Sequence, residues 1–237
     1  MAHHKDYAHW PFVSVEEFEL ACAYLDQRYI QAKLGKARLA FQLRPRRVIS
    51  TGSAYIEILR PLHEPEDLND LSNAFEGLKF ADNSFYEREM MLESPDWEDD
   101  EEALYLRELP PKYSTRSSQP YVAYEIHLHP TYRMPVLWFN LHDLNRQEER
   151  ALDIDTVYRL LVAPQYRSCI QSASITGGIS AAPHPVTDNP AFFIHPCQTK
   201  EAMEGFDCHL RDYLMVWTGI IGGTVGLWFP AEMGLPL

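Results

Sequence analysis

Between Glu64 and Glu108 sixteen acidic residues stand against Lys79, Arg88 and Arg107, and there the hydrophobic patterning stops. The formal charge of the whole chain is −13, and the 18 acids and 18 bases elsewhere cancel. The acidity therefore belongs to one segment and not to the whole surface. Any fold must be built from the patterned sequence on either side, with about residues 61–120 as a flexible surface excursion. Leu68, Leu71, Phe75 and Leu78 fit a short helix within it, and Pro110-Pro111 to Ser117-Ser118-Gln119-Pro120 reads as a linker. Nucleic acid is not an expected partner, because phosphate contacts need a basic face.

With 237 residues, 46% of them hydrophobic, the rest suits one globular domain, residues 1–237, interrupted by that insertion. Cys22, Cys169, Cys197 and Cys208 show no tight spacing, and no leader segment is recognisable. A reducing cytoplasm is the expectation, without a disulfide framework. The histidine-rich start, with His3, His4 and His9, reads as a tail.

Ser14 and Glu17 make a capping box, with Val13 and Phe18 as its staple. Phe18, Ala21, Cys22, Leu25 and Tyr29 follow at helical spacing, predicting a helix over about 14–34 with Gly35 as its stop. Leu39, Phe41 and Leu43 alternate as a short strand. Arg44-Pro45-Arg46-Arg47 reads as a turn, and Val48–Leu59 as a strand with a bulge at Gly52 and an end at Pro61.

Val122, Tyr124, Ile126 and Leu128 alternate with Glu125, His127 and His129, predicting a half-buried strand. The paired histidines offer metal ligands, but a solvated strand face is the simpler reading. A turn at His129–Tyr132 leads to an apolar strand, Arg133–Leu141, whose Pro135 signals an edge or a bulge. Asp153 opens a helix to about Val162, stopped by Pro164, and Ser172–Asn189 reads as a long loop. Tyr213–Phe229 carries no charge, and Gly219 and Gly223 match the spacing of paired membrane helices. Its four glycines break it more naturally into a helix, a turn and an apolar extension. Antiparallel strands between helices predict an α+β layered fold.

The chemistry concentrates at Phe192-Phe193-Ile194-His195-Pro196-Cys197-Gln198-Thr199. An apolar strand stops at a proline, presents a thiol and gives way to a helical pattern. A helix beginning there favours thiolate. A lone cysteine in apolar sequence is most often a core residue, but the Pro-Cys-Gln-Thr context reads as a loop. Three chemistries fit. A hydrolase would use His184, His195 or His209 as base, with no acid partner evident. A metal site would combine His195, Cys197, Cys208 and His209, with spacing unlike structural zinc. Acyl carriage would need an accessible thiol, an oxyanion stabiliser and a docked acceptor.

The His195-Pro196-Cys197 run with Thr199 resembles the active-site signature of the autophagy-related ubiquitin-conjugating-like enzymes, the family of autophagy-related proteins three and ten. His184-Pro185-Val186 with Pro190-Ala191-Phe192-Phe193, Tyr132–Asn140, and Trp217–Leu227 look like its protein-ten branch, in the right order along the chain. The resemblance covers about Tyr121–Pro230, and the acidic insertion has no counterpart in it.

It implies a ubiquitin-conjugating-enzyme-like core, an antiparallel sheet flanked by helices. It also implies that Cys197 accepts the ubiquitin-like autophagy protein twelve from the activating enzyme, autophagy protein seven, as a thioester. Transfer to a lysine of autophagy protein five follows, without cofactor or resident metal. Ordinary ubiquitin-conjugating enzymes carry an asparagine eight residues before the cysteine, in a His-Pro-Asn motif. Asn189 has that spacing but is separated from His184-Pro185, which makes it a candidate oxyanion donor or merely a turn residue before Pro190. His195 and Pro196 support the site, and Thr199 caps the following helix. The other reading is a non-catalytic interaction module of the same fold with a silent cysteine.

Overall fold

The computed structural model describes residues 7–62, 119–144, 153–162, 178–196 and 199–234. The acidic segment with the helix expected at Leu68–Leu78 lies outside these residues, as do His3, His4, Pro164, Cys169, Ser172 and Cys197.

Ser14 starts helix α1 (Val15–Gln31): its hydroxyl accepts from the Glu17 N–H, and the Glu17 carboxylate accepts from the Ser14 N–H at 2.6 Å. Phe18, Ala21, Cys22, Leu25 and Tyr29 are all buried, as their spacing requires. Arg28 lies on the same stripe, paired with Asp212 and donating to the Met233 carbonyl at 3.2 Å. The helix ends earlier than expected, because Ala32 turns extended. Gly35 instead takes φ +52° in the turn into α2 (Ala37–Ala40), which absorbs Leu39.

Strand β1 (Gln42–Arg47) contains the four residues read as a turn. Pro45 is tolerated because β1 is an edge strand, paired only with β2 (Ala54–Pro61). The turn comes later, at Val48–Ser53. There Gly52, at φ +71°, donates to the Val48 carbonyl at 2.7 Å, so it makes the turn and not a bulge.

Strands β3 (Tyr121–Leu128) and β4 (Pro135–His142) continue the meander. Pro135 is the first residue of a central strand, a position that needs no ladder donor. The expected edge at Pro135 therefore does not exist. Asp153 caps α3 (Ile154–Leu161) by accepting from the Thr156 N–H at 3.1 Å. Part of the expected long loop is strand β5 (Ile179–Pro183), which forms a hairpin with β6 (Pro190–Ile194). Ser180, Ala181 and Ala182 gave no apolar alternation to reveal it. Helices α4 (Thr199–Glu204) and α5 (Tyr213–Ile221) follow.

The sheet has six antiparallel strands in the order β1-β2-β3-β4-β6-β5. With its flanking helices it is an α+β, ubiquitin-conjugating-enzyme-like core. Helix α1 packs on β1 and β2 and against α5. Ile56, Ile58, Tyr124, Ile126, Leu137, Phe139 and Phe192 point from the sheet into one core with Phe18, Leu25, Tyr213 and Trp217. Each such aliphatic or aromatic side chain contributes roughly 1.5–3 kcal/mol by leaving water.

Residues 213–229 divide into a helix, a 3-10 turn (Gly222–Val225) and an apolar extension. A Cβ at Gly222 would sit 2.5 Å from the Leu227 carbonyl oxygen, and Gly226 has φ +70°. Close packing and turn geometry thus account for these glycines. Among the described residues no helix is long and apolar enough to cross a membrane. The N-terminal segment is a docked strap from Tyr7 onward: Tyr7 is buried, its ring 4.7 Å from Trp10 and 5.8 Å from Tyr213.

Candidate active site

Strand β6 ends at Ile194, and the chain runs through half-buried His195 to buried Pro196. Helix α4 begins at Thr199, whose hydroxyl donates to the Pro196 carbonyl at 2.7 Å. Thr199 is buried, 2% exposed. It is the first described residue of the helix. Cys197 and Gln198, between Pro196 and Thr199, lie outside the described residues.

The turn between β3 and β4 packs beside this segment. The Tyr132 ring meets the His195 ring edge-on at 5.6 Å and the His129 ring at 4.6 Å. The His129 Nδ1 accepts from the amides of Thr131 and Tyr132, both at 3.2 Å. Burial first, and the charge of His195 second, lower the His129 pKa below the usual histidine range. Tyr132, 43% exposed, gives this end of β6 an aromatic surface. The sequence marked these residues as a turn, with Tyr132 opening a block that resembles the family, and nothing local signalled their pairing with His195. The turn is tied to the N-terminal strap by a bond from the Val13 N–H to the Arg133 carbonyl at 3.0 Å.

Asn189 is not brought to this segment. It is exposed in the β5–β6 turn, its carbonyl accepting from the His184 N–H at 2.8 Å. All of β6, roughly 13 Å from first to last Cα, separates it from His195, whereas an oxyanion donor must approach the reacting oxygen to about 3 Å.

His184 has an acid neighbour after all: its Nε2 lies 3.3 Å from a Glu125 oxygen. Its Nδ1 accepts from the amides of Val186 and Thr187 at 3.3 and 3.4 Å, which leaves the ring proton on Nε2. With Nδ1 accepting from two amides and Nε2 facing Glu125, the buried ring turns neither nitrogen outward. Of the metal set containing Cys208, that thiol is buried with its Sγ 3.7 Å from the Tyr7 hydroxyl.

His127 is not on a solvated face. It is buried, stacked on Tyr55 at 4.4 Å, with its Nε2 2.7 Å from the Glu125 carboxylate. Glu125, His127 and His184 present ligand-type atoms within 4.8 Å of one another. Zinc bonds of 2.0–2.1 Å would space such atoms about 3.3 Å apart and need bare ring nitrogens. The 2.7 Å contact instead makes a carboxylate that accepts the His127 imidazole N–H, with the His184 Nε2 beside it at 3.3 Å. Burial pushes the Glu125 pKa up, but the two imidazoles outweigh it and hold the carboxyl at about 2.

The sequence profile of the "Autophagocytosis associated protein, active-site domain" family matches residues 17–232, from α1 to the C-terminal turn. The chain belongs to this family. It is also similar to the Ubiquitin-like-conjugating enzyme ATG10 of Gibberella zeae, 41% identical over 238 aligned residues that cover 95% of this chain and 97% of that protein. The resemblance seen in the blocks around Tyr132, Cys197 and Trp217 thus extends over nearly the whole sequence. The coarse activity, autophagy-type ubiquitin-like conjugation, rests on that kinship to the autophagocytosis family.

Proposed function

We propose that this chain accepts the ubiquitin-like autophagy protein twelve on Cys197 as a thioester, from the activating enzyme autophagy protein seven. It then passes the modifier to a lysine of autophagy protein five. In the first step the Cys197 thiolate displaces the activating enzyme's thiol from the carbonyl of the modifier's last residue. In the second the lysine amine attacks that carbonyl, an amide forms, and the Cys197 thiol leaves with the proton balance closed by solvent.

The observation that supports this best is the bond from Thr199 to Pro196, at the junction of a sheet strand and a helix, inside the family's active-site domain. It fixes both ends of the segment that carries the thiol. Acyl exchange between thiols needs position more than a strong base, and His184, at the other end of β6, is not placed to act as one. Pro196 and His195 act as packing, the latter against Tyr132.

The test is reconstitution. Purified chain, activating enzyme, ATP, protein twelve and protein five should yield an isopeptide-linked twelve–five conjugate only when all are present. Conjugate formed equally well without this chain would overturn the proposal.

A further inference from the structure

His184 is buried, 4% exposed, whereas every other residue from Pro183 to Pro190 is exposed. In sheet order β5 lies at the edge, beyond β6 and β4. Yet the ring of the residue that follows β5 rests 5.2 Å from Trp138 of β4 and 5.3 Å from His127 of β3. The tip of the β5–β6 hairpin therefore folds back over the outer face of the sheet, and His184 is its plug.

The hairpin needs such an anchor. Strand β6 pairs with β4 only from Leu137 to Phe139, whereas β5 and β6 pair along their whole length. The hairpin is thus a coherent unit on a short ladder, with the stack of Phe193 on Trp138 at 4.8 Å as further support. Its second strand runs straight into His195, Pro196 and the Cys197 segment.

Beneath the plug lies a carboxylate. Glu125 sits directly opposite Glu57 across β2 and β3, an unfavourable pairing of like charges. Each has its own cationic or N–H partner: Arg46 donates to Glu57 at 3.0 Å, and His127 Nε2 lies 2.7 Å from Glu125. The His184 Nε2 is buried outside hydrogen-bond geometry and lies at ion-pair distance, 3.3 Å, from the same Glu125 oxygen. Its tautomer is set from the other side of the ring by the amides of Val186 and Thr187. A buried imidazole N–H beside a carboxylate at that distance is held electrostatically, since moving away would leave it with no acceptor near it at all.

We propose that Glu125, His127 and His184 form a clasp that fixes the β5–β6 hairpin on the sheet and thereby positions the Cys197 segment for acyl transfer. The three are positioning residues and do not touch the reacting atoms. The link to transfer rests on the function proposed above, but the clasp itself is a statement about the hairpin.

The experiment pairs hydrogen exchange with single-turnover loading of the full chain, in Glu125→Ala, His184→Ala, their double variant and Glu125→Gln. In both alanine variants the amides of 179–194 should exchange at least roughly tenfold faster while those of α1 do not change. The rate of thioester loading at saturating charged activating enzyme should fall roughly tenfold with KM unchanged. The double variant should be no worse than either single one. Glu125→Gln, which keeps an acceptor oxygen, should recover part of both effects. Unchanged exchange in the hairpin overturns the clasp, and so does zinc held stoichiometrically by the purified chain and lost in His184→Ala. Faster hairpin exchange with undiminished loading overturns the positioning role. Absence of any adduct in the unmodified chain would instead remove the proposed function, with the exchange data still deciding the clasp.

Discussion

The hydroxyl of Thr199 donates a 2.7 Å hydrogen bond to the carbonyl of Pro196, joining the two residues that flank Cys197 and Gln198. Strand β6 and helix α4 are thereby tied to each other inside the family's active-site domain.

Thr199→Val keeps the volume of a buried side chain and removes that donor. The Pro196 carbonyl then loses its partner, which should cost about 1–2 kcal/mol in denaturant unfolding. Loading should slow more than stability falls, because position of the thiol is what the bond supplies. Thr199→Ser should restore both. Equal loading in Thr199→Val would show that the bond serves only the fold.

Thiol labelling distinguishes the cysteines. Burial pushes the Cys22 pKa up to about 12 and raises that of Cys208, so both are poor nucleophiles near neutral pH. Alkylation of the native protein followed by peptide mapping should modify Cys197 and leave Cys22 and Cys208 intact. Protection of Cys197 in the folded chain would favour a silent cysteine.

Glu125 should mark the acid limit of the fold. Its carboxyl is held at about 2, against an ordinary value of 4.5. A lowered pKa adds stability above the unfolded value and loses it as pH falls from about 4.5 toward 2. The contribution is on the order of 2–3 kcal/mol at neutral pH. Stability measured against pH should therefore decline over that window in the parent chain and decline less in Glu125→Gln. Parallel curves would mean that the carboxylate is not held by the two histidines.

Arg28 is nearly buried, and it bridges α1 to Asp212 and to the Met233 carbonyl. Arg28→Leu strands a partly buried carboxylate and an acceptor, and should cost about 3 kcal/mol by thermal or denaturant unfolding. Pairing it with Asp212→Asn should recover part of that loss.

Features with local causes were legible in the sequence. The capping box at Ser14 and Glu17, the buried stripe of α1, the alternation of β3 and the end of β6 before Pro196 all follow from neighbouring residues. Features set by sheet position were not. Pro45 reads as a turn residue until β1 is known to be an edge, and Pro135 signals an edge until it is seen to open a central strand. Strand β5 is small-residued and exposed, so it lacks the pattern that sequence reading uses. The meeting of Glu125 and His184 depends on a hairpin folding back over the sheet, and no local pattern encodes that. His127 alternates as an outward residue and is outward, but the fold covers that face with Tyr55 and His184.

The most direct measurement is the bond formed at Cys197. With activating enzyme, ATP and protein twelve, gel analysis should show an adduct of this chain that thiol reductant cleaves, mapped by mass spectrometry to Cys197. Cys197→Ser should give a reductant-resistant oxygen ester or no adduct. An adduct of unchanged reductant sensitivity in Cys197→Ser would contradict the assignment of the nucleophile.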